Sequence, residues 1–470
     1  MDLVSNVTST TDMTSTTLIL FGITGDLARK KLFPALYELT VDGVRPTVIG
    51  VARSDHDDES IRHRVRDALG DRPDTTAVDD LCSRITYVRG QYTDPATFAA
   101  LGDRVSADST PVAFLALPPS LFDDVATGLA SAGLNRGRII VEKPFGRDLA
   151  TARELNDILH RHFPEESIYR IDHFLGKDSI QNLLVFRFAN AILEAVWNRQ
   201  HIARVTITMA ESFDIHGRGA FYDDVGAVRD VVQNHLLEMV ALLAMEPPIN
   251  EDAAALRSEK VKVLQSIRPA DPATTVRGQY RGYLDEEGVA ADSNTETFVA
   301  LQLYIDSWRW EGVPFCIRAG KAMAETLTEA VIEFTAPPTT LFGGRPASTD
   351  GNNTQPPRAQ PSVLRFRMKP DNRITLTLQA KAPGDQLVSE PVDLDLDYGE
   401  ALGGSGPDPY ERLIGDAIDG DPRNFAHQDG VEASWRIVEP ILDHAPRVLA
   451  YDKGTWGPDA ADSVAALPEV

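Results

Sequence analysis

The stretch LILFGITGDLARKKLFPALYEL, which starts at Leu18, constrains this chain more than any other. An apolar run ends in a glycine-containing turn, a helical stretch follows at once, and a second apolar run, TVIGVA, begins at Thr47. Strand, tight turn, helix and strand make a βαβ unit, which commits the chain to parallel pairing. Inside the turn, Gly22, Gly25 and Ala28 give the spacing G-x-x-G-x-x-A. Small residues there let the backbone approach a pyrophosphate at a helix N-terminus. Taken alone, the spacing also suits an ordinary βα turn. Its place, directly after the first strand and opening the first helix, points to a nucleotide site.

The same cadence continues through RITYV (84–88), VAFLAL (112–117) and RIIVEKP (138–144), separated by helical stretches. It predicts a Rossmann-like, doubly wound α/β domain with a parallel sheet over 17–175. After Asn182 the texture changes to longer strands with alternating or aromatic character: 204–213, 296–306, 329–335 and 373–381. A larger α+β domain over 176–470, with a mostly antiparallel sheet, is expected. One strong helix is predicted within it at 227–245. The Pro/Gly/Asn-rich segment 336–362 reads as a long surface hairpin loop, and the Ser/Thr-rich residues 1–16 as a disordered tail. No repeat of fixed period is present.

Charge narrows the choice of ligands. Lys plus Arg number 46 against 70 for Asp plus Glu, a formal net charge of −24, which argues against non-specific affinity for nucleic acid or an anionic membrane. An anionic ligand therefore needs a local basic cluster, and lysine is scarce: there are ten. The two cysteines, Cys82 and Cys316, are far apart, which supports neither a disulfide framework nor a zinc site, so no metal is expected. No basic and apolar leader and no run of about 18 apolar residues is present. A cytoplasmic protein is expected.

Three further stretches carry chemistry. The second strand ends in VARSDHD, where an Arg can pair with a 2′-phosphate and an acid would hold ribose hydroxyls. Arg53 and Ser54 point to NADP, while Asp55, Asp57 and Asp58 keep NAD open. In RIDHFLGKDSIQN (170–182), a helix starting near Asp172 would put His173 and Lys177 at i and i+4, two donors on one face suited to a phosphate. On the helix 227–245, Val228, Val232, His235, Met239 and Leu242 form an apolar stripe. A histidine there is commonly a satisfied core residue, yet partial burial also suits a catalytic base, and Asp230 and Asn234 add polar groups beside it.

With these stretches in view, the chain resembles the glucose-6-phosphate dehydrogenase family over nearly its whole length. The resemblance is carried by Gly22 to Lys31, by EKPFG (142–146), by RIDHFLGK (170–177) and by GRGAFYDDVGAVRDVVQNHLLEM (217–239). EKVKVL (259–264), IDSWRWEGVPFCIRAGKAM (305–323), PYERLI (409–414) and SWRI (434–437) extend it in order. The resemblance implies hydride transfer from C1 of β-D-glucose 6-phosphate to NADP, giving 6-phosphoglucono-1,5-lactone, the entry to the pentose phosphate route. It implies His235 as general base and Asp172 as the carboxylate that stabilises its charged form. It implies His173 and Lys177 on the phosphate, and Lys143, Glu211, Asp230 and Lys321 on the sugar, with Pro144 shaping the turn. Gly22, Thr24, Gly25, Asp26, Leu27, Arg53 and Ser54, with Lys143, become the NADP contacts. A homodimer or homotetramer built through the large sheet is implied as well.

Two positions depart from the family pattern. Phe174 stands where the family has Tyr, which removes a donor to the phosphate and costs about 1.5–3 kcal/mol, or roughly 10- to 150-fold in affinity. Lys369 stands where Gln is more common and is expected to restore part of that binding to the substrate. These departures keep open a paralogue acting on another hexose 6-phosphate or with NAD, and, from another class, a silent sugar-phosphate-binding regulator.

Overall fold

A computed structural model of the chain describes residues 15–338, 360–402 and 406–466. Most of the expected tail, and 339–359 of the expected hairpin loop, lie outside the described residues; Ser15 and Thr16 lie inside them, and Thr16 already belongs to the first strand. The chain forms two compact units. The first comprises the residues through Gly146, Ala150–Gly176 and Pro407–Gln428. The second comprises Arg147–Leu149, Lys177–Gly406 and Asp429 onward.

The first unit holds six strands: β1 (Thr16–Phe21), β2 (Thr47–Ala52), β3 (Ile85–Arg89), β4 (Thr110–Leu115), β5 (Arg138–Glu142) and β6 (Ile168–Ile171). They run in the order β3-β2-β1-β4-β5-β6, and every pairing is parallel. This is the doubly wound order, reversing direction at β1/β4. Leu18, Phe21, Val48, Val51, Val112, Phe114 and Ile140 are buried because helices cover both faces, so these strands read as unbroken apolar runs. The sequence reading missed β6, whose four residues IYRI carry an arginine in the middle of a buried strand. Arg170 is fully buried there and is held by both carboxylate oxygens of Glu165, at 2.7 and 3.0 Å, and by Asn156. The helix Pro409–Asp419, far along the chain, also belongs to this unit; its Leu413, Ile414 and Ala417 pack in one cluster with Leu36, Tyr37 and Leu39.

The second unit holds nine strands: β7 (Ile202–Ala210), β8 (Val276–Tyr280), β9 (Phe298–Leu303), β10 (Phe315–Gly320), β11 (Leu327–Phe334), β12 (Val363–Lys369), β13 (Arg373–Lys381), β14 (Ser389–Asp397) and β15 (Val448–Tyr451). Their order is β14-β13-β12-β11-β7-β10-β9-β8-β15. Antiparallel pairings dominate, and two parallel ones, β7 with β10 and β8 with β15, interrupt them.

Two helical expectations need correction. The single helix over 227–245 is a π-helix joined to an α-helix, and a separate helix ends where it begins. A helix at Gly219–Ala227 breaks at Gly226, where φ is 69°; a π-helix follows over Val228–Leu236; an α-helix closes at Leu237–Ala244. The break is fixed by Glu296, which accepts the Val228 amide at 3.0 Å and leaves no room for a side chain at position 226, since a Cβ there would meet its Oε1 at 2.6 Å. Nor is there a helix from Asp172. Residues 172–177 form a turn, closed by the Leu175 amide on the Asp172 carbonyl at 3.0 Å, and the helix Asp178–Phe188 starts only after Lys177. His173 and Lys177 are therefore not stacked one helical turn apart. Asp172 explains the difference: its Oδ1 accepts the Phe174 amide at 3.0 Å, a local bond that favours a turn over a helix interior.

Candidate active site

In the first unit, the sequence-predicted residues collect at one edge because each follows a parallel strand. Gly22 follows β1, Arg53 and Ser54 follow β2, Lys143 follows β5 and Asp172 follows β6. In open α/β sheets the carboxyl ends of the strands form the binding crevice. Gly22 has φ of 80° and donates to the Val51 carbonyl at 2.9 Å; a Cβ there would sit 2.5 Å from the Ala116 carbonyl oxygen. Only glycine fits this approach. Gly25 closes the turn by donating to the Gly22 carbonyl at 2.9 Å, and Arg64 fixes the Thr24 carbonyl at 2.9 Å. Asp26 and Leu27 then open the helix, whose first amides lack intrahelical acceptors. Lys30 reaches back to Asp26 at 3.3 Å.

Around β2 the competition between Arg53 and the three aspartates resolves. Asp55 is paired with Arg89 at 2.7 Å. Asp57 caps the helix Asp58–Leu69 by accepting the Ser60 amide at 2.9 Å, which holds its carboxyl below the ordinary aspartate range. Asp58 accepts the Tyr87 amide at 2.7 Å. Arg53, by contrast, is exposed and makes no ion pair among the described residues; its guanidinium lies over the Tyr92 ring at 5.9 Å. Among the described residues, Arg53 is thus left without an ion partner while Asp55, Asp57 and Asp58 each have a polar partner, which fits a 2′-phosphorylated dinucleotide. Tyr92 and Arg64 were not singled out from the sequence, since nothing local ties either to the glycine turn.

At β5 and β6, parallel pairing of Glu142 with Ile171 sets Lys143 beside Asp172 in register. Asp172 is buried, and His173 stacks on Tyr410 with ring centres 6.4 Å apart and planes 7° from parallel. Glu142 is half-buried, with its Oε1 shut off from solvent. Burial pushes its carboxyl up to about 7, although the Tyr410 hydroxyl and Lys143 pull the other way. Tyr410 is a site neighbour that the PYERLI motif contained without revealing its place.

The second unit builds its polar cluster by the same device. Strands β7 and β10 are parallel neighbours with Ala210 opposite Gly320, so Glu211 and Lys321 emerge side by side, and the Glu211 amide donates to the Gly320 carbonyl at 3.0 Å. The Lys321 ammonium is hydrogen-bonded to the Glu211 carboxylate and lies 3.1 Å from Asp230. Its side chain is 12% exposed. Burial alone would lower its pKa, but Asp230 and Glu211 outweigh that and hold it above the ordinary lysine value. Ala322, next in the chain, has φ of 51°, the one non-glycine residue in the left-handed region among those described, so backbone strain is concentrated beside this cluster.

Asp230 and His235 share the π-helix. In an α-helix residues five apart face different ways, whereas in a π-helix residue i bonds to i+5, which sets the two backbone positions one above the other. His235 is buried, and its amide is bonded by the Asn234 side chain at 2.6 Å. Lys177 precedes the helix Asp178–Phe188. Lys369 stands apart from the cluster: it is exposed at the end of β12, with β11 between that strand and β7, and makes no ion pair among the described residues.

Comparison with known proteins agrees with this geometry. Residues 19–182 match the family model "Glucose-6-phosphate dehydrogenase, NAD binding domain", and 184–469 match "Glucose-6-phosphate dehydrogenase, C-terminal domain". The chain is 41% identical to glucose-6-phosphate 1-dehydrogenase 1 of Mycobacterium tuberculosis, over 95% of this chain and 94% of that protein. A crystal structure of glucose-6-phosphate 1-dehydrogenase from Mycobacterium avium superposes with a TM-score of 0.85 at 42% identity, covering 96% of this chain and 97% of that one. A solved glucose-6-phosphate dehydrogenase in complex with its substrate glucose-6-phosphate reaches 0.88 at 36% identity, covering 97% and 98%. With both halves of the fold matched and both site clusters in place, the chain belongs to the glucose-6-phosphate dehydrogenase family.

Proposed function

We propose that this chain oxidises glucose 6-phosphate at C1 to the 1,5-lactone, with the hydride passing to NADP. The observation that carries this reading is the π-helix Val228–Leu236, which bears both Asp230, tied to Lys321, and His235. Two carboxylates around one ammonium form an acceptor-rich cluster suited to sugar hydroxyls. His235 takes the C1 hydroxyl proton as general base, and Asp172 is the carboxylate that stabilises the imidazolium. His173 and Lys177 bind the phosphate; Lys143, Glu211, Asp230 and Lys321 orient the sugar; Lys369 restores part of the substrate binding that Phe174 gives up.

Gly22, Thr24, Gly25, Asp26 and Leu27 hold the pyrophosphate of NADP, Arg53 and Ser54 its 2′-phosphate, and Lys143 the region where cofactor and sugar meet. Bound NADP supplies a nicotinamide ring that accepts the hydride. The fit rests on the backbone approach at Gly22 and on the uncommitted Arg53.

The chain also forms a homo-oligomer through the large sheet. Val392, Leu394 and Leu396 on β14 alternate onto one exposed face with Leu378 of β13, a patch that a monomer rarely leaves uncovered. Among the described residues no helix is long and apolar enough to cross a membrane, and Cys82 and Cys316 are buried free thiols, which suits a reducing cytoplasm.

An assay at 340 nm with glucose 6-phosphate and either NADP or NAD, on the wild type beside His235→Asn, tests the reading. NADP reduction that drops at least about 10²-fold in the variant, the low end for losing a general base, supports it. Folded wild type that reduces neither cofactor rejects it.

A further inference from the structure

Tyr222 is a residue that the reading above leaves without work. It sits on the helix Gly219–Ala227, just before the break at Gly226 that launches the π-helix. Its side chain belongs to the apolar cluster of Tyr280, Phe298 and Met323. The Lys321 ammonium, itself bonded to Glu211 and Asp230, lies over its ring 5.5 Å from the centre. The side chain is 3% exposed, and its hydroxyl finds no hydrogen-bond partner among the described residues. Buried tyrosine hydroxyls are normally satisfied.

The chemistry of the cluster says what is missing. Each sugar hydroxyl both donates and accepts. Glu211 and Asp230 can only accept, and two of the three Lys321 protons face them, so this cluster has one donor left for several sugar hydroxyls. A sugar hydroxyl that gives its hydrogen to one of these carboxylates still needs a donor for its oxygen. Tyr222 is held protonated, first by burial and then by Asp230, so its hydroxyl is such a donor.

We propose that Tyr222 is a further substrate contact, its hydroxyl donating a hydrogen bond to the C2, C3 or C4 hydroxyl oxygen of the sugar held by the Lys321 cluster. The proposal rests on the hexose 6-phosphate reading.

Tyr222→Phe removes the hydroxyl and nothing else. Its kcat/KM for glucose 6-phosphate should fall about 3- to 10-fold, the range for one neutral hydrogen bond, with the loss mainly in KM. Its melting temperature should hold or rise, because an orphan polar group has gone. The 2-, 3- and 4-deoxy analogues of glucose 6-phosphate, run on both proteins, close the cycle: the penalty for one analogue should shrink in Tyr222→Phe while the other two persist. A KM equal to wild type, three penalties unchanged, or a clearly lower melting temperature with unchanged KM overturns the proposal. Wild type inactive on glucose 6-phosphate overturns the functional reading and this contact together, whereas active wild type with an indifferent variant overturns the contact alone.

Discussion

The two sheets solve one problem in different ways. The six-stranded sheet is parallel throughout, so all its strand ends that lead into binding loops fall on one edge, and the nucleotide turn, Arg53, Lys143 and Asp172 need no further arrangement to gather there. The nine-stranded sheet is mostly antiparallel, and successive strands end on opposite edges. It brings Glu211 and Lys321 together through the one central parallel pair, β7 with β10, and supplies Asp230 from a π-helix. Both units also hold a buried arginine on a glutamate: Arg170 on the half-buried Glu165 in the first, and Arg277 on the buried Glu296 in the second. The first pair supports a strand. The second also shapes the backbone that carries the site, because Glu296 holds the Val228 amide.

That contrast is open to attack. The largest effect is expected from Glu296→Ala, which leaves Arg277 buried with carbonyl partners only and frees the start of the π-helix; about 3–5 kcal/mol should be lost in urea unfolding. Activity should fall in the protein that remains folded. If activity per folded molecule stays at the wild-type level, the buried pair supports only stability.

Glu142 gives the next effect. Its folded pKa, about 7, lies above the unfolded value of 4.5, so the folded state keeps a proton that the unfolded state has released. That stabilisation is complete below about pH 4.5 and is lost as pH rises toward 7, a swing of about 3 kcal/mol. Glu142→Gln should flatten this dependence and melt higher than the wild type at pH 8. A wild type whose melting temperature is flat between pH 5 and 8, after subtraction of the variant's curve, contradicts the burial of this carboxyl.

Arg53→Gln should lower kcat/KM for NADP by roughly 10- to 150-fold, the loss of one charge-assisted bond, and leave NAD nearly untouched. An equal fall with both cofactors would place Arg53 on a group that the two share. Gly22→Ala attacks the turn itself. A left-handed alanine costs about 1–2 kcal/mol before its Cβ meets the Ala116 carbonyl, so KM for NADP should rise and the melting temperature should fall. Unchanged NADP kinetics would separate the turn from the cofactor. For the oligomer, Leu394→Asp should shift light scattering toward the monomer mass, and no shift would move the interface off β14.

The sequence was most legible where structure is local. Strands β1, β2, β3 and β5 are short apolar runs because helices cover both faces, and the Gly22 turn lies within one contiguous stretch. β6 escaped because Arg170 interrupts its run, and its burial is made tolerable by Glu165, a partner that hydropathy does not register. The helix at 227–245 was right in its buried positions and wrong in its winding, because a π turn preserves an apolar side while changing which polar residues align. The turn at 172–177 was misread for a related reason: helical spacing of His173 and Lys177 was present, but the Asp172 side chain competes for the backbone. Asp230 stood out beside His235, but Glu211 and Lys321 came from resemblance alone, since only the parallel register of β7 and β10 explains why residues so far apart meet.

The return of Pro407–Gln428 to the first unit sets the schedule on which the protein can be made. All six strands of the first sheet have been synthesised by Ile171, yet Leu36, Tyr37 and Leu39 gain their covering helix only when Leu413 and Ile414 emerge, roughly 240 residues later. At 5–20 residues per second that is about 12–48 s. Throughout that interval the nascent nucleotide domain shows an oily flank to the cell, and a ribosome that stalls anywhere before the Pro409–Asp419 helix releases a chain with that flank still bare. Strands β7 to β14 are already made by then, so the first unit is closed only near the end of synthesis, with β15 of the second unit still to follow.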